Sequence, residues 1–531
     1  MRHRPLALLL LTVILVVHAG CSDDAPPPTG PPAGIDHRPR LDVGAVFGTI
    51  DGNWGAVDEA AIELGERTLV SDPWGRFEAT AVPVGQHALA VASPGHLTVY
   101  RSVDVQAART TATGRIRLQR LDAHAVADQG ATFSSYFADV TVPEDGFVTA
   151  SGPVAVEDLV LDVEFLASHG QDFVDAFGPS VGVRASGEEV RLVGTALVAF
   201  FARTEQGEPA ELAPGAMADL AMEVDHVWAG DEATIPLWHF DPSTRRWQER
   251  GTAVRDSLWY RGEFDRTGRW AVAEADPATS AVTGMVVDRV GAPVAGATVR
   301  SWMSGPAWST EAVTDASGRF ALDVLEGDCA TLRVHVDGEW SYGGFVCLDG
   351  GMDAELANPL VVSAPVFRLT LVWGADPPDL DAHLFVPRDW DPAFDLHHVF
   401  FDERGDADEP PHCRLGDDAT SGYGPEAVVG YRWRDGRYQY WIHDYSHGTS
   451  ASLRASGARV QVMAAGEAWI LEVADTPPPV GEDPGWWHVC DLVADGGAVT
   501  VEPVDRFGVP PSGPGVFSGE TKRGSGKTTR P

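Results

Sequence analysis

Apolar and polar residues alternate in short runs along most of the chain. Examples are Val46 to Ile50, His87 to Ala92, Leu369 to Trp373, Tyr438 to His443, Trp469 to Val473 and Val499 to Val504. A period of two over five or six residues, closed by Gly, Pro or Asp, predicts half-buried strands whose alternate side chains meet a core. Long helical patterns are scarce, and Val156 to His169 is the main stretch that reads as either strand or helix. The predicted fold class is therefore all-β, a tandem string of β-sandwiches of Ig-like or transthyretin-like type. The 57 Gly and 38 Pro residues fit such a chain, because both serve turns better than helices.

The 531 residues suggest about three or four domains. With 44% apolar and 22% charged residues the chain can bury cores, which excludes wholesale disorder. Its 77 acidic and 39 basic residues leave a net charge of −38, a sign that repels nucleic acid and anionic membrane surfaces. Nucleic acid is set aside as a partner.

A repeated turn divides the chain further. Gly48-Thr49-Ile50-Asp51 precedes Ser71 to Phe77, and Gly284 to Asp288 precedes Thr314 to Phe320. Each second segment holds Asp-x-x-Gly, so Asp is expected to accept backbone N–H bonds, Gly to take a positive φ, and the following Phe to enter a core. Together with Gly291 to Val299, this pattern resembles the carboxypeptidase regulatory-like domain over 281–362 and, more loosely, 42–119. The resemblance implies transthyretin-like sandwiches, accessory modules of secreted and surface proteins that carry no catalytic residues. Between the copies, Ile235 to Asp241 and Arg246 to Thr252 read as two strands of an Ig-like spacer whose tryptophans, Trp238 and Trp247, pack in the core. The string Leu371 to Gly374, Asp379 to Leu384, Leu415 to Asp418, Gly422 to Glu426, Gly436 to Tyr440 and His443 to Tyr445 resembles the YfaP-like domain of bacterial surface and periplasmic proteins. That resemblance implies a β-sandwich and no reaction.

The N-terminus carries an address. Arg2 and Arg4 precede an apolar run from Leu6 to Val17, short for a membrane span and suited to a secretory signal. Ala19-Gly20-Cys21 then resembles the lipobox of bacterial lipoproteins, which implies lipidation at Cys21 and a membrane-anchored protein of the cell envelope. His18 stands where that pattern usually has an aliphatic residue. The expected division is a signal peptide 1–20, a Pro-rich tether 21–40, a regulatory-like sandwich 41–120, a spacer 121–275, a second regulatory-like sandwich 276–363, a YfaP-like sandwich 364–508 and a disordered tail 509–531. Four cysteines remain, an even number that an oxidising compartment would pair, and of the three possible connectivities Cys329–Cys347 with Cys413–Cys490 is the expected one because it keeps each bond within one expected domain. No pair has the CxxC spacing of a zinc site.

Motifs for catalysis are weak. Gly178-Pro179-Ser180-Val181-Gly182 fits the nucleophile elbow of hydrolases, but no helical pattern follows the serine. Gly524 to Thr528 imitates part of a phosphate loop without room for its helix, and no histidine begins H-E-x-x-H. Arg404-Gly405-Asp406 reads as a chance tripeptide, and His397-His398 cannot share a metal if strand alternation sends the rings to opposite faces. One constellation stands out. If Leu380, Ala382 and Leu384 face the core, then Asp379, Asp381 and His383 share the other face. Asp417, Asp418 and Glu426 lie on a Gly-rich segment able to join them, and clustered carboxylates suit Ca²⁺. The expected metal ligands are Asp379, Asp381, Asp417, Asp418 and Glu426, with Ca²⁺ as the cofactor. The expected function is non-enzymatic: an exported lipoprotein presenting modules to an envelope or surface protein or glycan. Carbohydrate binding through the 17 tryptophans is the alternative, as is an accessory part of an unrecognised hydrolase.

Overall fold

The computed structural model describes residues 39–511, apart from 130, 135–137, 168–169, 224–231, 304–309, 327–328, 338, 349–351, 389–395 and 474–484. The expected signal peptide, Cys21, almost all of the tether and the end of the tail lie outside the described residues. Within them nearly every regular element is a strand, as the alternation predicts. The strands group into two four-stranded sheets between Val43 and Arg117, and one fourteen-stranded sheet between Asp122 and Ala275. Two further four-stranded sheets lie between Thr279 and Val362, and a six- and a five-stranded sheet between Phe367 and Phe507.

The two repeat copies share a topology. In each, the first strand pairs antiparallel with the strand after the Asp-x-x-Gly turn and parallel with a late strand. The turns form as expected. Asp72 Oδ1 accepts the N–H groups of Trp74 (2.9 Å) and Arg76 (2.7 Å), and Asp315 Oδ1 those of Ser317 (2.8 Å) and Arg319 (2.9 Å). Gly75 and Gly318 take φ of 73° and 74°, after which Phe77 and Phe320 enter their cores.

The ambiguous stretch resolves in favour of a strand. Leu159–Ala167 pairs residue by residue with the long strand Glu189–Thr204, which buries Leu159, Leu161 and Val163. A helix, Gly170–Phe177, follows and buries Phe173 and Phe177. Trp238 and Trp247 are fully buried, and Phe177 stacks on Trp247 at 4.6 Å. The Gly178 to Gly182 motif runs from that helix into the strand Val181–Val183, the reverse of the strand-to-helix order an elbow requires.

Cys329 and Cys347 form the expected disulfide, directly opposite each other on paired strands. Cys413 and Cys490 do not pair, contrary to expectation. Both are free and buried, Cys413 on the six-stranded sheet and Cys490 on the five-stranded one. Both side chains belong to the core between those sheets, each packed as a small apolar group in place of a bond. Burial pushes the Cys413 thiol up to about 12 and that of Cys490 higher still.

Candidate metal centre

The candidate site lies on the outer face of the five-stranded sheet, whose order is Leu396–Val399, Leu380–Pro387, Gly436–Asp444, Trp486–Asp495 and Ala498–Phe507. Leu380, Ala382 and Leu384 point into the core shared with the six-stranded sheet. Period two then turns Asp381, His383 and Phe385 outward. In register, Asp381 stands opposite His443 and His383 opposite Trp441, while His443 and Trp441 stand opposite Trp486 and His488. The outer face is thus a band of carboxylate, imidazole and aromatic groups.

Outward does not mean exposed. Asp381 and His383 retain 3% and 4% of their surface. His443 stacks on Trp486 at 4.2 Å, Trp441 on His488 at 4.0 Å, and His398 on both Phe385 (4.3 Å) and Phe400 (4.2 Å). These rings cover the polar row and hold its rotamers.

Two groups of ligand atoms meet here, each within 4.8 Å: Asp379, Asp381 and Asp418, and Asp381, His383 and His443. Asp379 is placed by its N–H donating to Ser446 Oγ (3.0 Å). Asp379 Oδ1, Asp381 Oδ2, Asp418 Oδ1 and His383 Nε2 are buried with no hydrogen-bond partner, a costly state for polar atoms unless a cation meets them. The electrostatics agree. Burial, then Asp381 and Asp418, pushes Asp379 up to about 7, and burial raises Asp381 against the opposing pull of His443. Burial holds His383 well below the ordinary histidine range, reinforced by His398 and His443.

Three of the five expected ligands, Asp379, Asp381 and Asp418, come together. Asp417 points away from its neighbour and pairs with Arg76 at 3.1 Å, so it leaves the ligand set. Glu426 leaves it too. Its carboxylate is buried and accepts the N–H groups of Ala382 (2.8 Å) and Ala419 (3.0 Å), a bracket that ties the two sheets behind the site. Burial and nearby Asp381 still hold Glu426 well above the usual carboxylate range. His443, a possible ligand, and His398, the support of His383, lie outside the set expected from the sequence. The Tyr438 to His443 alternation carried the first signal, since it sets Trp441 and His443 on one face. Within Arg404-Gly405-Asp406, Gly405–Asp406 is a short strand paired with Cys413–Leu415, and Asp406 Oδ1 caps the turn after it by accepting the N–H groups of Asp408 and Glu409.

No protein-family model matches the chain, and no curated protein matches it. Among solved structures it is similar to the Bacillus anthracis TIE protein, at 11% identity over 60% of this chain and 50% of that one, with a TM-score of 0.14. The chain thus spans half the length of that protein. It is also similar to BcpA, the major pilin subunit of Bacillus cereus, in a variant structure (11% identity, 60% and 99% coverage, TM-score 0.14). A DUF3823 family protein from Parabacteroides merdae is 13% identical over 37% of this chain and 96% of its own, with a TM-score of 0.15. At these scores the likenesses carry no inference about what this chain does.

Proposed function

We propose that this chain is an exported, membrane-anchored envelope protein without enzymatic activity, and that its C-terminal sandwich binds Ca²⁺ through Asp379, Asp381 and Asp418. The observation that carries the reading is the set of buried, unpartnered carboxylate oxygens brought together from the strand Leu380–Pro387 (Asp381), the residue just before it (Asp379) and the loop after Cys413–Leu415 (Asp418). Such a set is poorly balanced alone and well balanced by a hard cation, which accepts carboxylates in flexible geometry. The Cys329–Cys347 disulfide supports an oxidising compartment, and the Arg-flanked apolar run with Cys21 supports export and lipid anchoring. Among the described residues no helix is long and apolar enough to cross a membrane. The modules then hold the cation site away from the membrane and present it to an envelope or surface protein or glycan.

Sugar stacking is the weaker alternative. Trp373 and Trp441 are buried and Trp469 is half-buried, which leaves, among the described residues, the exposed Trp54 and the Arg76-covered Trp74 as the open indoles a sugar ring could meet, both in the N-terminal sandwich and outside the one that holds the carboxylates. Thermal unfolding of the full chain in millimolar calcium and in chelator tests the cation reading. Calcium at about 100 times Kd is expected to add roughly 2.7 kcal/mol to stability. An unchanged midpoint would refute it. Membrane fractionation of native and Cys21→Ala chains tests the anchor: the variant is expected in the soluble fraction, and its retention on membranes would overturn the assignment.

A further inference from the structure

The imidazoles beside the carboxylates ask for a different ion. Resting on the reading of Asp379, Asp381 and Asp418 as a cation site, we infer that Asp381, His383 and His443 form an adjoining subsite for a borderline transition cation of the Zn²⁺ class, with Asp381 shared between the two. Calcium takes oxygen ligands, whereas neutral imidazole suits zinc and its neighbours. The three side chains bring their ligand atoms within 4.8 Å of one another, and three protein ligands with one open position is a coordination zinc accepts.

His383 is built for the role. Its Nδ1 is engaged by His398 Nε2 at 2.8 Å, which leaves the buried and partnerless Nε2 as the ligating atom. A ligating histidine is commonly held in this way, through a hydrogen bond from its other ring nitrogen. His398 is in turn fixed between Phe385 and Phe400, which makes it a positioning residue. On the neighbouring strand, His443 Nδ1 stands 3.8 Å from Asp381 Oδ2, too far for a hydrogen bond and short enough for an ion to join them. Stacking on Trp486 fixes that ring as well.

The test uses the full chain, stripped with chelator and titrated with Zn²⁺ and Co²⁺ in saturating calcium. One equivalent of Zn²⁺ is expected, and Co²⁺ should give visible ligand-field bands of a nitrogen-ligated ion. His383→Gln with His443→Gln should weaken Zn²⁺ by more than about 100-fold while the calcium shift persists, and His398→Phe should weaken it by about 10-fold and move the Co²⁺ bands. Undiminished Zn²⁺ binding by the double variant would overturn the inference. Zinc failing to bind while calcium still stabilises would sink this subsite alone, and zinc binding without a calcium shift would sink only the calcium reading. Should the double variant misfold, X-ray absorption of the zinc-loaded native chain decides. Imidazole scattering is expected, and an oxygen-only shell would overturn the subsite.

Discussion

Single side chains set much of the energetics of this molecule, and His335 shows how. It is fully buried, and its Nε2 accepts the Ala112 N–H at 3.0 Å, which fixes the neutral ring as a bond between the two repeat copies. Burial first, then Arg300, Arg368 and Arg109, pulls it down to about 3. The unfolded chain takes up this proton near pH 6.5 and the folded one only near pH 3, so the contribution is full above pH 6.5 and is lost as pH falls towards 3. At its low-pH limit the loss approaches roughly 5 kcal/mol. In His335→Gln, whose amide oxygen can still accept from Ala112, unfolding free energy should vary less over that window. A parallel pH profile for variant and native chain would contradict this. Residue roles were legible where alternation sets direction, as for Asp381 and His383. They were illegible where adjacent loop residues diverge, as Asp417 and Asp418 do, or where a carboxylate is spent on backbone N–H groups, as in Glu426.

Elements were the most legible scale, because a turn's chemistry is local. The Asp-x-x-Gly pattern specified bond partners, a positive φ and an aromatic entry before any tertiary contact was known. At Gly318, with φ of 74°, an added Cβ would stand 2.5 Å from the Val286 carbonyl oxygen. Gly318→Ala should therefore cost at least about 2 kcal/mol, from left-handed strain together with that clash. Equilibrium denaturation checks it, and a loss below 0.5 kcal/mol on the order of experimental error would refute the turn assignment. Cysteine parity was a poorer guide, since an even count says nothing about which sheets carry the thiols. Non-reducing peptide mapping should find Cys329 joined to Cys347, and alkylation should reach Cys413 and Cys490 only after unfolding. Under the chain-entropy model, closing the 18-residue separation contributes about 3 kcal/mol, which Cys329→Ser with Cys347→Ser should remove. A Cys413–Cys490 crosslink in the map would contradict the structure.

At the scale of the whole molecule, charge and architecture point the same way. A chain with a net charge of −38 that also gathers three carboxylates, each with one buried oxygen lacking a hydrogen bond, is poised to take up cations. The all-β class was legible because alternation runs through every module. The site was only half legible, since its imidazoles come from neighbouring strands and their stacking partners are fixed by cross-strand register. The central claim is that the carboxylates on the outer face of the C-terminal sandwich bind calcium. Isothermal titration of the metal-stripped full chain with Ca²⁺, beside Asp379→Asn with Asp381→Asn, tests it most directly. Saturable binding by the native chain that disappears in the variant is the predicted result, and either no binding by the native chain or equal binding by both would contradict it.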